Sequence, residues 1–248
     1  MVAFQEVLTM AYQATFQRWE TKYLITKQQK QRLLEAMEPY MELDRYGRTT
    51  IRNIYFDTDT YRLIRHSMEK PVYKEKLRIR SYRRASSGET VFVELKKKYR
   101  GVVYKRRLKM EQQQAIQWLC REEDRLPQEQ IAREIDYFCR YYETLRPKVF
   151  LSYEREAYYC REGSDFRVTF DENILCRQDN LTLDSEIWGV PLLEENQVLL
   201  ELKTPGSIPL WMVKALNRMN IHKISFSKYG KAYETMIFPN CKGDFQYA

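Results

Sequence analysis

Basic and acidic residues recur at every second position in several segments of this chain. Arg18, Glu20 and Lys22 form the first set, and Glu201 with Lys203 forms the last. The other charged positions of this pattern are Lys74, Lys76, Arg78, Arg80, Glu94, Lys96, Lys98, Lys105, Arg107, Lys109, Arg155, Arg167 and Asp171. Side chains two apart on a β-strand share a face, so the spacing predicts strands with one charged face.

The charged face is strongly unbalanced toward positive charge. It holds fourteen Lys or Arg and four acidic residues, an excess of ten positive charges, whereas the whole chain carries +8. A half-buried antiparallel sheet commonly turns a polar face to water, which is the alternative interpretation. Like charges repel across a sheet, however, so this segregation favours a surface that holds a polyanion.

The pattern predicts eight strands with several helices between them. The expected strands cover 17–25, 49–56, 73–83, 89–98, 102–110, 148–160, 165–176 and 197–203. The expected helices cover 27–38, a short piece with Leu63 and Ile64, 111–145 with a break near Pro127, and 208–238. Short connections predict antiparallel neighbours. We therefore predict an α+β fold, in which an eight-stranded antiparallel barrel closes as a tunnel with a polar, basic lumen and helices outside.

Composition excludes several classes of protein. No Pro-, Gly- or Ser-rich linker interrupts the chain, so we expect one domain over 1–248 with a core at about 16–238. Two histidines exclude Ser–His–Asp and HExxH chemistry, and neither a P-loop nor a GxGxxG motif occurs. Five scattered cysteines without a CxxC pair favour a reducing compartment, and we expect a cytoplasmic location. We expect neither a signal peptide nor a transmembrane segment.

Seven short segments resemble, in order, the VTC domain. They are Arg18–Tyr23, Ile54–Thr58, Lys76–Arg80, Val93–Lys96, Ser152–Tyr158, Leu200–Lys203 and Ser225–Gly230. The resemblance covers roughly residues 16–238. VTC domains are polyphosphate polymerase domains of the triphosphate tunnel metalloenzyme, or CYTH-like, superfamily, and the resemblance implies a tunnel that binds triphosphate with basic side chains and a divalent metal.

The resemblance also implies roles for individual residues. Phosphate contacts are expected from the side chains of Lys22, Arg78, Arg80, Lys96, Lys105, Tyr153, Arg155, Arg167, Ser227 and Lys228. Glu201 is expected to hold the metal, Mn²⁺ or Mg²⁺. The residues expected to act in catalysis are Arg78, Arg80, Lys96, Arg155 and Glu201. Salt bridges are expected for Glu20 and Glu94, whereas Asp171 fits either a salt bridge or a metal role.

The resemblance implies transfer of the ATP γ-phosphate to a growing inorganic polyphosphate chain. The expected partners are ATP, polyphosphate, and pyrophosphate or phosphate, and a membrane-protein partner is left open. The hydrolytic branch of the superfamily opens with Glu-x-Glu-x-Lys, and Arg18 replaces the first of these acids, which favours the polymerase branch. Ser225 is a second departure, because some polymerases have a basic residue at this position.

Two alternatives to the polymerase stay open. One is a metal-dependent inorganic or nucleoside triphosphatase of the same superfamily, and the other is a polyphosphate-binding module without catalysis. Nucleic acid is disfavoured as a partner, because a barrel would enclose the cations where a duplex cannot reach.

Overall fold

Eleven strands and seven α-helices form the chain over residues 15–121 and 129–241, the part that the computed structural model describes. The strands are β1 (Thr15–Thr26), β2 (Met41–Leu43), β3 (Thr49–Asp57), β4 (Tyr73–Ser81), β5 (Thr90–Tyr99), β6 (Val102–Glu111), β7 (Arg146–Cys160), β8 (Arg167–Arg177), β9 (Val190–Pro191), β10 (Gln197–Thr204) and β11 (Lys223–Ile224). The helices are α1 (Lys27–Met37), α2 (Arg62–Met68), α3 (Gln112–Leu119), α4 (Gln130–Tyr142), α5 (Leu210–Arg218), α6 (Lys228–Ala232) and α7 (Phe238–Cys241), with a π-helical turn at Tyr233–Ile237.

Eight long strands form one antiparallel sheet. They pair in the order β7-β3-β4-β5-β6-β1-β10-β8, and β8 pairs again with β7. The short strands β2, β9 and β11 add to β7, β8 and β1. These long strands are the eight predicted ones, with bounds that differ by two residues or fewer. The prediction of an antiparallel α+β fold is confirmed.

Two groups of helices cover the apolar face of this sheet. Leu77, Ile79 and Val93 pack with Trp118 of α3 and Phe138 of α4. A second cluster of the same kind joins strand residues to helices α1 and α5, and contains Tyr23, Val198, Leu200, Leu33, Met212 and Leu216. Burying the apolar face fixes the strand register, because a slip of one residue would turn the charged side chains into the core. Within the described ranges, no helix has the length and apolarity to cross a bilayer.

The expected helical stretch over 111–145 with a break near Pro127 corresponds to α3 and α4, which lie on either side of that position; Pro127 itself lies outside the described residues. The C-terminal helix differs from the prediction. The expected helix over 208–238 ends at Arg218. Asn220 has a φ of +53°, and the Ile221 N–H donates to the Leu216 carbonyl at 3.0 Å, which closes the helix as a left-handed cap.

The C-terminal helical segment packs on the charged side of the sheet. Tyr229 of α6 stacks on Tyr55 of β3, with ring centroids 4.7 Å apart. Ala232, Tyr233 and Ile237 join the same cluster, which also includes Leu151 and Leu199. These strand residues share a face with Arg155 and Glu201, because strand side chains alternate. The prediction of helices on the outer, apolar face thus describes α1, α3, α4 and α5, whereas α6 and the π-helical turn pack on the charged side.

Asp57 fixes this segment to the sheet. Its buried carboxylate accepts hydrogen bonds from the backbone N–H groups of Thr58 (2.8 Å), Leu63 (2.9 Å) and Ile64 (3.0 Å). The Tyr229 hydroxyl donates to the same carboxylate at 3.0 Å. One side chain at the end of β3 thus holds both the start of α2 and α6.

We predict that Asp57→Ala lowers the free energy of unfolding by about 3–5 kcal/mol, because buried donors of α2 and Tyr229 lose their acceptor. Asp59→Ala is the matched control: Asp59 is exposed and pairs with Lys148 at 2.8 Å, so the loss of free energy of unfolding should be below about 1 kcal/mol. Urea unfolding of both variants measures the difference, and equal losses would contradict the role given to Asp57.

Candidate functional site

A cavity of about 2160 Å³ lies against the charged face. Its lining includes every residue assigned above to phosphate or metal binding. Twelve of the fourteen basic residues of the charged face line it, so the alternating pattern identifies the cavity wall. The exceptions are Lys109, which is exposed, and Arg18, whose side chain lies outside the described part. The structure brings the predicted site together, and the role of each residue stays a prediction.

Glu94 is the centre of the first ionic cluster. It is fully buried on β5, and Arg78 and Arg107 on the flanking strands lie opposite it. Arg78 donates to Oε2 from Nε at 2.9 Å and from Nη2 at 2.7 Å, and Arg107 Nε donates to Oε1 at 2.8 Å. Lys105 Nζ lies 2.6 Å from Oε1, and Arg80 Nε lies 3.8 Å from Oε2. Burial alone would raise the pKa of Glu94, but these cations lower it well below its usual range.

Glu201 and Asp171 form a second cluster across the cavity. Glu201 contacts four cations: Lys228 at 3.1 Å, Lys22 at 3.4 Å, Lys203 at 3.0 Å and Arg155 at 3.3 Å. Asp171 accepts two bonds of 2.6 Å from Arg155 and lies 2.5 Å from Lys228. Burial lowers the pKa of Lys228, but the two acids raise it above its ordinary value on balance. Burial lowers the pKa of Lys203 to about 8 despite its contact with Glu201.

The segment between β11 and α6 closes part of the cavity wall through lysine contacts. Lys22 Nζ donates to the Phe226 carbonyl at 2.9 Å. Lys76 Nζ donates to the Ser227 hydroxyl at 2.6 Å, and that hydroxyl also accepts from the Gly230 N–H at 3.0 Å. Ser227 therefore caps α6 and presents its oxygen to the cavity. Ser225, one of the departures from the family pattern, is exposed and lines the cavity as well.

Tyrosines hold the other predicted arginines in place. Arg78 Nη1 donates to the Tyr55 hydroxyl at 2.8 Å, and Arg80 Nη2 donates to the Tyr153 hydroxyl at 2.9 Å. Arg167 stacks over the Tyr159 ring at 4.8 Å, and its Nε is buried without a hydrogen-bond partner. These contacts orient the guanidiniums toward the cavity. A planar guanidinium that is already held on one side loses less conformational freedom when it binds an anion.

Three lysines at one end of the cavity have no carboxylate within ion-pair distance among the described residues. Lys74 donates to the Ser67 carbonyl at 3.1 Å, and Lys98 lies opposite it on β5. Lys76 donates to the Ser227 hydroxyl, as described above. Burial, together with Lys22, Lys74, Lys96 and Arg78, lowers the pKa of Lys76 well below its ordinary value. This end carries the least compensated positive charge of the described lining.

Sequence reasoning gave no site role to Arg107, Lys76 or Lys203, although it placed all three on the charged face. Arg107 contacts Glu94, Lys203 contacts Glu201, and Lys76 contacts Ser227. The signal was the alternation itself, because each is two residues from a predicted site residue on its own strand.

Glu201 and Glu20 are the carboxylates that could share a divalent cation. They are diagonal neighbours in the β1–β10 ladder, which places their Cα atoms about 7–8 Å apart. Burial alone would raise the pKa of Glu20, but Lys96 at 2.7 Å lowers it, to about 2 on balance. Across the described residues, no group of three His, Cys, Asp or Glu forms a ready metal site. Since Mg²⁺ and Mn²⁺ keep waters and accept phosphate oxygens, one or two carboxylates suffice. These residues fit a metal that arrives with phosphate.

Three comparisons with known proteins bear on this site. The family model of the VTC domain matches residues 17–237. Among solved structures, a candidate adenylate cyclase from Bacillus halodurans has a TM-score of 0.58 at 15% identity, covering 90% of this chain and 100% of that chain. The adenylyl cyclase candidate HpAC1 from Hippeastrum, reported with a dominant triphosphatase activity, has a TM-score of 0.47 at 16% identity, covering 88% and 95%. The search of curated proteins finds no match. The Bacillus structure shows a shared fold.

We predict that Glu94→Gln destabilises the free protein by about 3–5 kcal/mol at neutral pH, because four cations lose their buried counter-charge. The folded-state pKa of Glu94 is depressed, so its contribution is present above the unfolded pKa and is lost as pH falls below it. Thermal unfolding between pH 7 and pH 3 should show the gap between wild type and variant narrowing as pH falls.

Tripolyphosphate should raise the melting temperature of Glu94→Gln more than that of wild type, because it supplies the missing anion. Glu134→Gln is the matched control: it removes an equal charge that pairs with Arg106 at 2.8 Å on the helix-covered side. An equal response of the two variants to tripolyphosphate would contradict the role given to Glu94.

Proposed function

The chain belongs to the VTC domain family, whose members are phosphoryl-transfer or triphosphatase enzymes acting on triphosphate substrates, and from this premise we propose a polyphosphate polymerase. The reaction would transfer the γ-phosphate of ATP to a growing inorganic polyphosphate chain. The observation that carries the proposal is the cavity itself, which all the predicted phosphate ligands line.

The eight long strands would enclose this cavity as a tunnel. The additional pairing of β8 with β7 supports this arrangement. A closed sheet of eight strands has an interior wide enough for side chains or one slender ligand. A polyphosphate chain is slender, carries about one negative charge per phosphate, and would need cations along its whole length inside such a tunnel.

The basic side chains would supply binding and charge stabilisation during the transfer. Phosphoryl transfer needs positioned reactants and neutralised charge more than covalent chemistry. Arg78, Arg80 and Arg155 offer planar forks that match phosphate oxygens, and Lys96 adds a point charge. The attacking oxygen of a phosphate or polyphosphate end is already ionised, so the reaction requires no general base.

Glu201, with Glu20 beside it, would hold the divalent metal, which when bound supplies further positive charge to the β- and γ-phosphate oxygens. The contacts of Glu201 with Lys22, Lys203, Lys228 and Arg155 orient its two oxygens toward the cavity. An entering phosphate would offer its oxygens to the same cations, and Glu201 would then be available as a metal ligand.

A binding module without catalysis is the second candidate. The surroundings of Glu201 favour it, since four cations contact the carboxylate and no three-acid group occurs in the described ranges. A triphosphatase would use the same ligands with water as the acceptor. Nucleic acid fits poorly, because the cations face the cavity. Cytoplasmic location, a membrane-protein partner and a single domain stay predictions.

Incubation with ATP and Mn²⁺ tests the proposal directly. A polymerase yields chains resolved as a ladder on polyacrylamide gels and degraded by an exopolyphosphatase. Release of free phosphate without a ladder would identify a triphosphatase. Tight polyphosphate binding without turnover in Mn²⁺ or Mg²⁺ would identify a binding module.

We predict that Glu201→Gln reduces metal-dependent turnover at least 100-fold, whereas its affinity for tripolyphosphate without metal does not fall. The amide cannot serve as an anionic metal ligand, but the cations remain. Calorimetric binding and single-turnover rates separate the two effects. Glu154→Gln, on the opposite face of β7 and paired with Arg48, is the control and should keep full turnover. Full turnover of Glu201→Gln would refute its metal role.

A further inference from the structure

The two ends of the cavity carry different side chains. In the β4–β5 ladder, Arg80 lies opposite Phe92 near one end, and Lys74 lies opposite Lys98 at the other. Six residues separate the two pairs along β4, which corresponds to about 20 Å. We call them the aromatic end (Tyr82, Phe92, Tyr159) and the lysine end (Lys70, Lys74, Lys98).

The aromatic end presents a tyrosine ring that its neighbours hold in place: the Arg80 and Arg107 guanidiniums lie 6.0 and 5.8 Å from the centroid of the Tyr82 ring. The rings of Tyr82 and Phe92 meet edge to face with centroids 5.7 Å apart. The Arg107 guanidinium lies 4.7 Å over the Phe92 ring, and its Nη2 donates to the Tyr82 hydroxyl at 2.7 Å. Tyr82 nevertheless keeps 40% of its surface exposed, and it lines the cavity. An exposed ring in a fixed position is a platform on which a planar group can stack.

The opposite wall has the same chemistry at the same end. Strands β4 and β7 both run antiparallel to β3, so their carboxyl ends lie together. Tyr159 is near the carboxyl end of β7, lines the cavity, and carries the Arg167 guanidinium 4.8 Å over its ring. Two walls thus present aromatic rings beside guanidiniums, a combination that accepts a nucleobase and the phosphate next to it.

The lysine end presents ammonium groups to a phosphate chain. Lys74 and Lys98 have no carboxylate within ion-pair distance in the described part of the chain, and Lys70 adds to the same lining. Ammonium groups act as point charges, which attract successive phosphates.

The geometry points to a nucleoside subsite at the aromatic end, where the base of a nucleoside triphosphate stacks on Tyr82 beside Phe92. Its phosphates then pass Arg80 and Arg78 toward the lysine end, where the polyphosphate chain lies. The inference rests on the proposed function and adds to it the orientation of the nucleotide and the residues that favour it over a bare triphosphate. Stacking is tolerant of base identity, so GTP should share the advantage of ATP.

Binding of two charge-matched ligands tests this subsite. The probes are the β,γ-imido analogues of ATP and of methyl triphosphate, which share the triphosphate charge and differ in the nucleoside. Wild type should bind the ATP analogue about tenfold more tightly. Tyr82→Ala should abolish this preference while keeping the affinity for the methyl ligand, and Tyr82→Phe should retain most of it. Tyr99→Ala is the matched control, because Tyr99 is 43% exposed and lies at the lysine end.

Each outcome decides between two conclusions. If wild type binds both ligands with equal affinity, the nucleoside subsite is overturned and the proposed function stands. The same conclusion follows if Tyr82→Ala loses affinity for both ligands equally while Tyr82→Phe keeps both affinities. Failure of wild type to bind either ligand would overturn the proposed function and the subsite with it. A preference that survives in Tyr82→Ala and is lost in Tyr99→Ala would place the nucleoside at the lysine end and overturn the assignment.

Discussion

Positive charge crowded onto one face of a sheet is the constraint on which this structure depends. Strand neighbours lie about 5 Å apart, so cations on adjacent strands repel strongly unless an anion lies between them. Three buried carboxylates meet this need: Glu94 among Arg78, Lys105 and Arg107, and Glu201 with Asp171 on the other wall. Each occupies a position between guanidinium or ammonium groups that a phosphate could also occupy.

Packing of the apolar face stabilises the sheet against this charge repulsion. Alternation turns Leu77, Ile79 and Val93 away from the charges and into contact with α3 and α4, where burial stabilises the register that aligns Arg78 with Glu94. The cavity therefore depends on packing that lies outside it. Asp57 extends the same dependence to α6, because it holds the helix that carries Lys228.

Periodicity of two was enough to predict the strands and the wall of the cavity. It located residues such as Arg107 and Lys203 on the correct face, because the side of a strand follows from counting alone. It could not show that α6 packs on the charged side, since Tyr229 and Ile237 read equally well as a cover for the apolar face. The four-cation surroundings of Glu201 were also hidden, because they join β1, β7, β10 and α6, which are distant in sequence and meet only through the fold.

The carboxylates are distributed unequally along the cavity, so its two ends differ in uncompensated positive charge. Cations around Glu94 and Glu201 already have an anion, so a ligand there replaces one set of contacts by another and gains only the difference. Lys74, Lys76 and Lys98 have no such partner among the described residues, and an anion that reaches them relieves repulsion without breaking an ion pair. Affinity per phosphate should therefore rise toward the lysine end, which would draw a polyanion along the cavity and keep its end near the arginines.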